Sequence, residues 1–213
     1  LMSGKNTMAT SILSQTSKMP CPSISLDAEL CKTGSKLAKH EGTVCNSCYA
    51  LKGNYRFKSV KKSMENRLKF MNSPEFIPKM VSLLDIYRWF RWFDSGDIQS
   101  QKMGENIIAI CELTPWCNHW IPSKEYKWWK DIKNNKDEPS NAIVRISTPS
   151  HNNKPIKNFK HTSTTFEYKN NNPGYTGFEC TAHKNKKLYG KYECGDCRAC
   201  WNKDISNIAY PKS

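Results

Sequence analysis

The chain has 213 residues, 33 basic against 19 acidic side chains, a net charge of +14 and ten cysteines. That length supports one full domain with its own apolar core, so disulfide staples are not needed, and neither the opening "LMSGKNTMATSILSQTSKMP" nor the longest aliphatic run, Ile107 to Ile110, resembles a signal peptide or a membrane span. The expectation is a soluble intracellular protein with no membrane partner, whose thiols stay reduced and serve metal or redox chemistry. The positive charge raises nucleic acid as a partner, but the excess is nearly all lysine scattered along the chain, as on a solvated surface.

One domain, 1–213, is expected, with no internal repeat. Residues 1–20 read as a flexible N-terminal segment, 18–55 as a front cysteine loop, 56–170 as an α/β core and 178–201 as a C-terminal cysteine loop. From Arg56 to Met71 the apolar residues Phe57, Val60, Met64, Leu68 and Met71 recur at helical steps. A second helix is predicted to open at Ser73 as N-cap, with Pro74 at its first position. "YRWFRWFDSGD" (Tyr87 to Asp97) reads as an aromatic strand entering a polar turn, and "NIIAICELT" (Asn106 to Thr114) as a buried strand. "PSKEYKWWKDI" reads as a helix capped at Ser123, and "NAIVRIST" (Asn141 to Thr148) as another apolar strand.

Strands alternating with helices predict an α/β fold, either a partial (β/α) barrel or an open, mostly parallel sheet with outer helices, flanked by cysteine-rich loops from both ends of the chain. In such folds ligands sit beyond the carboxyl ends of the strands. The predicted rim is Asp94, Ser95, Asp97, Glu112, Thr114, Arg145, Ser147 and Thr148. Asp94, Ser95, Asp97 and Arg145 are the candidate cofactor-binding residues, and Asp94, Asp97 and Arg145 the candidates for catalysis. "DSGD" equally suits an Asx-type turn capping the next helix, and Arg88, Arg91 and Arg145 suit either a carboxylate or phosphate ligand or pairing with the aspartates.

The cysteines form a front group, Cys31, Cys45 and Cys48, and a back group, Cys180, Cys194, Cys197 and Cys200; Cys21, Cys111 and Cys117 stand apart. In "CGDCRACW" three thiols lie at intervals of three, with Cys180 fourteen residues upstream. Zinc favours two separated C-x2-C knuckles, whereas a consecutive triple with a remote fourth ligand is how ferredoxin-type chains hold a cubane. A 4Fe–4S cluster is the preferred reading and zinc the alternative. The front group supplies three thiols, and a cluster held by three leaves one iron open, the arrangement of radical enzymes that cleave S-adenosylmethionine. Thirteen residues separate Cys31 from Cys45, far from the C-x3-C-x2-C spacing of those enzymes, and the two groups could instead share one cluster. Cys117 and His119 in "PWCNHW" suit a packed thiol and a hydrogen-bonded imidazole better than a metal site, and the tryptophans suit core better than base stacking.

"CKTGSKL", "CNSCYALKGNYRF", "RWFDSGD" and "CGDCRACW", in that order, resemble the bacteriophage "gene product eighty-eight" family. The motif positions are Cys31, Cys45, Cys48, Tyr49 and Ala50, then Arg91, Asp94, Ser95, Gly96 and Asp97, then Cys180, Cys194, Cys197 and Cys200. The resemblance implies an iron–sulfur protein of a phage, working in the cytoplasm of the infected host cell, with a partial barrel distantly similar to radical-enzyme folds. It supplies no substrate. Three function classes follow: an iron–sulfur protein for electron transfer or redox sensing, with one or two clusters and a redox partner or small polar ligand; a radical S-adenosylmethionine-like enzyme; and a zinc-binding module for nucleic acid. The first is preferred, because no glycine-rich cofactor motif beyond "MGEN" is present.

Overall fold

The computed structural model describes residues 12–168 and 172–212. Strands β1 (Ser14–Gln15), β2 (Pro22–Ile24), β3 (Trp89–Trp92), β4 (Asn118–Ser123), β5 (Ala142–Ser147), β6 (Thr162–Phe166), β7 (Phe178–Glu179) and β8 (Asn207–Pro211) form one sheet in the order β1-β2-β3-β4-β5-β6-β8-β7. Only β1 with β2 is antiparallel; the other pairings are parallel. The helices are α1 (Lys32–Leu37), α2 (Lys58–Met71), α3 (Phe76–Leu84), α4 (Gln101–Leu113), α5 (Tyr126–Asn135) and α6 (Ala182–Tyr189). Strands β1 and β7 are edges with no pairing between them, so the sheet is open rather than closed into a barrel.

Period-two alternation sorts the strand side chains onto two faces. Phe90 and Trp92 of β3, Ile121 of β4, and Val144 and Ile146 of β5 join the main core, where Met71, Phe76, Met80, Leu84, Ile107, Ile110, Trp129 and Ile132 bring helices α2 to α5 against the sheet. The opposite face carries Trp120 and Ile143, covered by Trp201 and Cys21. Trp201 is fixed there by its Nε1 donating to the Phe90 carbonyl at 2.9 Å. One face therefore holds helices, and the other holds the loop that carries the back cysteines.

Several sequence expectations change here. "NIIAICELT" is not a strand but the end of α4, capped by Ser100, whose Oγ accepts from Met103 N at 3.1 Å. Met103, Ile107, Ile110 and Cys111 recur at three- and four-residue steps and bury one face, a period that a window starting at Asn106 cuts short. Ser73 does not cap α3; its hydroxyl donates back to Phe70 O at 2.8 Å, ending α2. Ser123 ends β4, a strand hidden in "NHWIPS", and α5 starts at Tyr126. Of the N-terminal segment, residues 1–11 lie outside the described residues, but from Ile12 onward it is built into the sheet through β1, with Leu13 at 9% exposure. Among the described residues no helix is long and apolar enough to cross a membrane.

Candidate functional site

The front cysteines follow β2, the first parallel strand. Cys31 precedes α1, whose start is tied down because Thr33 donates through its N–H and hydroxyl to the two Glu125 carboxylate oxygens, each at 2.7 Å. Gly34 is needed here: a Cβ would lie 2.9 Å from Cys31 Cβ and 3.6 Å from the Sγ of both Cys31 and Cys45. Two thiols thus flank one glycine. The loop returns through Thr43, whose hydroxyl donates to the carbonyls of Leu37 at 2.6 Å and His40 at 2.8 Å, and delivers Cys45 and Cys48. Burial pushes the Cys31 and Cys45 thiols up; Asp97, the neighbouring thiols and Glu125 add to this, while Lys124 opposes it at Cys45.

The back group is hung on β8 and on Lys18, just past β1. Cys180 N donates to Ala209 O at 2.8 Å, and Cys194 N to Lys18 O at 2.9 Å. Cys200 Sγ lies 3.3 Å from the Tyr210 hydroxyl on β8. Burial is the main cause that raises Cys180, takes Cys194 to about 11 and takes Cys200 to about 12, and other thiols of the back group raise each further. The front thiols likewise perturb one another. Cys111 and Cys117 are buried in the main core, and Cys21 in the smaller one. Among the described residues no three or more His, Cys, Asp or Glu side chains are drawn together tightly enough to hold a single metal ion.

"DSGD" is the joint that closes the β2 and β3 strand ends. Asp94 Oδ1 accepts from Ser23 and Ser25, both at 2.8 Å, its Oδ2 accepts from Tyr55 at 3.4 Å, and its carbonyl accepts from the Tyr49 hydroxyl. Ser95 Oγ donates to Leu26 O at 2.8 Å. Gly96 has φ +81°, and a Cβ there would come within 2.7–2.9 Å of Leu26. Asp97 accepts from Ile98 N at 2.8 Å and Ser123 Oγ at 2.6 Å through Oδ1, and from Lys124 N at 2.7 Å through Oδ2. Burial raises its carboxyl to about 7 against those three hydrogen bonds, which favour the charge. Asp97 thus organises the turn from β4 into α5, and capping of α4 falls to Ser100 instead.

Three of the expected rim residues lie elsewhere. Arg145 is fully buried and donates to five main-chain carbonyls: Cys200 at 2.9 Å, Ile205 at 2.8 Å, Ser206 at 3.5 Å, Ala199 at 3.2 Å and Asn202 at 2.8 Å. It binds the back loop to β5 and has no hydrogen left for a ligand. Glu112 and Thr114 precede β4 and so lie at the amino end of the strands; Glu112 pairs with Lys136 at 2.7 Å, and Thr114 is bonded to His119. Arg88 is exposed at that same end.

The remaining rim residues face a cavity of about 1150 Å³ at the carboxyl ends of β2 to β6 and β8. Cys31, Cys45 and Cys48 line one part, Cys180, Cys194 and Cys200 another, with Arg91, Asp94, Ser95, Asp97, Ser147 and Thr148 between. Cys197 lies outside this wall, beside Cys180 and Cys194. Sequence reading missed Lys124, His151 and Tyr210, which also line it. They belong to no motif, and only the strand order brings them here.

The fold and this wall define an α/β protein whose open, mostly parallel sheet carries a thiol-lined chamber at its strand ends. The chain belongs to the gene product 88 family, whose sequence model matches residues 2–203. No curated protein and no solved structure matches it.

Proposed function

We propose that the chain is an iron–sulfur enzyme of the open-iron type, in which Cys31, Cys45 and Cys48 hold one 4Fe–4S cluster and Cys180, Cys194, Cys197 and Cys200 a second, with a small polar molecule bound in the chamber between them. The observation that carries this is the cavity itself, walled by both thiol groups. The donor set fits: burial and crowding push the thiols of Cys31, Cys45, Cys180, Cys194 and Cys200 up, and a bound cation is what reverses that balance. The one-sided distribution of helices, with the chamber at the strand ends of an open, mostly parallel sheet, is compatible with the partial-barrel reading.

When bound at an open iron, S-adenosylmethionine supplies a reductively cleavable sulfonium. The chain's own part is to orient and to keep out water. Asp94 and Asp97 offer their unused lone pairs to hydroxyl or ammonium groups, with orientations fixed by Ser23, Ser25 and Ser123. A cavity at the upper end of ligand-site volumes accommodates a cofactor and a substrate together. Electron transfer or redox sensing is the second reading, supported by the complete four-thiol back group. It needs no chamber. Purified without oxygen, the chain is expected to be brown, with iron and sulfide in near-equal amounts. Adding S-adenosylmethionine to reduced protein is expected to perturb the cluster spectrum and release 5′-deoxyadenosine. A colourless protein with stoichiometric zinc overturns the iron reading; iron without any response to the cofactor leaves the electron-transfer reading in its place.

A further inference from the structure

The chamber wall holds a set of polar side-chain groups that the fold does not use. Thr148, just past β5, is 2% exposed, and its hydroxyl is buried without a hydrogen-bond partner. His151 Nε2 is likewise buried and unpartnered, while its Nδ1 lies 2.9 Å from Thr165 Oγ1. Lys124, just past β4, lines the same cavity, and its ammonium has no ion pair or hydrogen bond among the described residues. Leaving a buried polar atom unpaired costs about 1–3 kcal/mol. Two such atoms, Thr148 Oγ1 and His151 Nε2, lie on one cavity wall beside the ammonium of half-buried Lys124.

Their placement is built rather than incidental. The loop bearing Thr148 and His151 is laced to the front cysteine loop: Val44 N donates to Pro149 O at 2.9 Å, His151 N to Gly42 O at 3.1 Å, and Thr43 bridges Ser150. This seam ends one residue before Cys45. Lys124 lies close enough to act on both Cys45, where it opposes burial, and His151, where it adds to the lowering by burial and Lys212. The nearby carboxylates are engaged, Glu125 by Thr33, Asp97 by Ser123 and Lys124 N, and Glu167 by Lys212 at 2.8 Å. In the tautomer whose Nδ1 accepts the Thr165 hydroxyl, Nε2 carries the hydrogen, and all three groups can donate around one cation.

We propose that Lys124, Thr148 and His151 form a subsite for an anionic oxygen group, carboxylate or phosphate, of the small molecule that the chamber admits. This deepens the function proposed above and rests on it for the anion's standing beside the front cluster. Ammonium, hydroxyl and imidazole N–H together satisfy up to three oxygen lone pairs, and the charge on Lys124 selects an anion over a neutral sugar or amide.

The test follows the imidazole NMR signals of the full chain, loaded with iron and unloaded, during titration with inorganic phosphate and, separately, with succinate. The His151 signal is assigned by its loss in His151→Gln. Saturable movement of that signal is expected with at least one anion, and which anion moves it separates phosphate from carboxylate ligands. Thr148→Val is expected to weaken binding threefold or more at an unchanged melting temperature, because the hydroxyl it removes bonds nothing in the fold. Lys124→Ala is expected to weaken it tenfold or more. No saturable shift with either anion overturns the subsite, as does binding that both variants leave intact. A chain that takes up the anion but never iron keeps the subsite and defeats the iron reading; an iron-loaded chain that ignores both anions does the reverse.

Discussion

His119 has no exposed surface, and both of its ring nitrogens are engaged. Thr114 Oγ1 gives its hydrogen to Ile110 O at 2.7 Å, so it accepts from His119 Nε2 at 2.9 Å, and His119 Nδ1 then accepts Trp92 Nε1–H at 3.2 Å. The ring is a neutral core histidine, as the packing reading of "PWCNHW" expects, and burial lowers its pKa to about 3. Below the ordinary histidine value the unfolded chain binds the proton more tightly, so this stabilisation is present near neutrality and is lost as pH falls from about 6.5 towards 3. Asp97, raised to about 7, works in the opposite sense over part of the same range, so the two are separated by comparing variants. The penalty of His119→Gln, read from urea midpoints, is expected to be smaller by about 2 kcal/mol at pH 5 than at pH 7; an equal penalty at both would mean that His119 titrates normally. Gly34 makes a second case at this scale. Glycine to alanine inside an exposed helix gains about 1 kcal/mol, but here the added methyl meets Cys31 and Cys45. Gly34→Ala purified without oxygen is expected to carry less iron than the parent chain, and equal iron in metal analysis would show that the two sulfurs have room to spare.

At the scale of elements, one side chain fixes a whole loop. The five carbonyls held by Arg145 belong to residues 199–206, which carry Cys200 and Trp201 and lead into β8. Arg145→Met keeps the stem but leaves those carbonyls buried without donors, each charged bond being worth about 1.5–3 kcal/mol. The expected outcome is a loss of about 3 kcal/mol or more in chemical unfolding, with faster amide exchange confined first to residues 199–206; a loss below about 1 kcal/mol would mean that water replaces the guanidinium. This role was not legible in "NAIVRIST". Period-two alternation along β5 puts Ile143, Arg145 and Ser147 on one face, yet only the C-terminal loop folding over that face decides between ligand and scaffold. Helix α2 and strands β3 and β5 were legible because their apolar periods are unbroken. Strand β4 was not, since proline and histidine interrupt "NHWIPS", and α4 was mistaken because its four-residue core "IIAI" carries no period by itself. Of the site, the cysteines were legible by spacing, whereas Lys124, Thr148 and His151 reach the chamber through β4 to β6 pairing, which no local pattern encodes.

Across the whole molecule, the two cysteine groups are held by different parts of the sheet. The front loop is anchored by Glu125 at the end of β4 and by the seam to residues 149–151, and the back loop by β8, Lys18 and Arg145 on β5. Neither group's hydrogen bonds run through the other, and Arg91, Asp94 and the chamber lie between them. Sites with separate supports and no shared ligands behave additively, so the two groups are expected to load independently, a direct consequence of the two-cluster proposal. Replacing Cys45 and Cys48 by alanine should reduce bound iron from about eight to about four per chain and leave one electron-resonance signal. Replacing Cys194 and Cys197 should leave the other, and the two signals should sum to that of the parent. A single shared cluster gives a different pattern: either pair of substitutions then removes nearly all of the iron, and the parent chain itself carries about four. Iron counts on these three proteins, prepared side by side without oxygen, separate one cluster from two, because the sheet gives each loop its own footing.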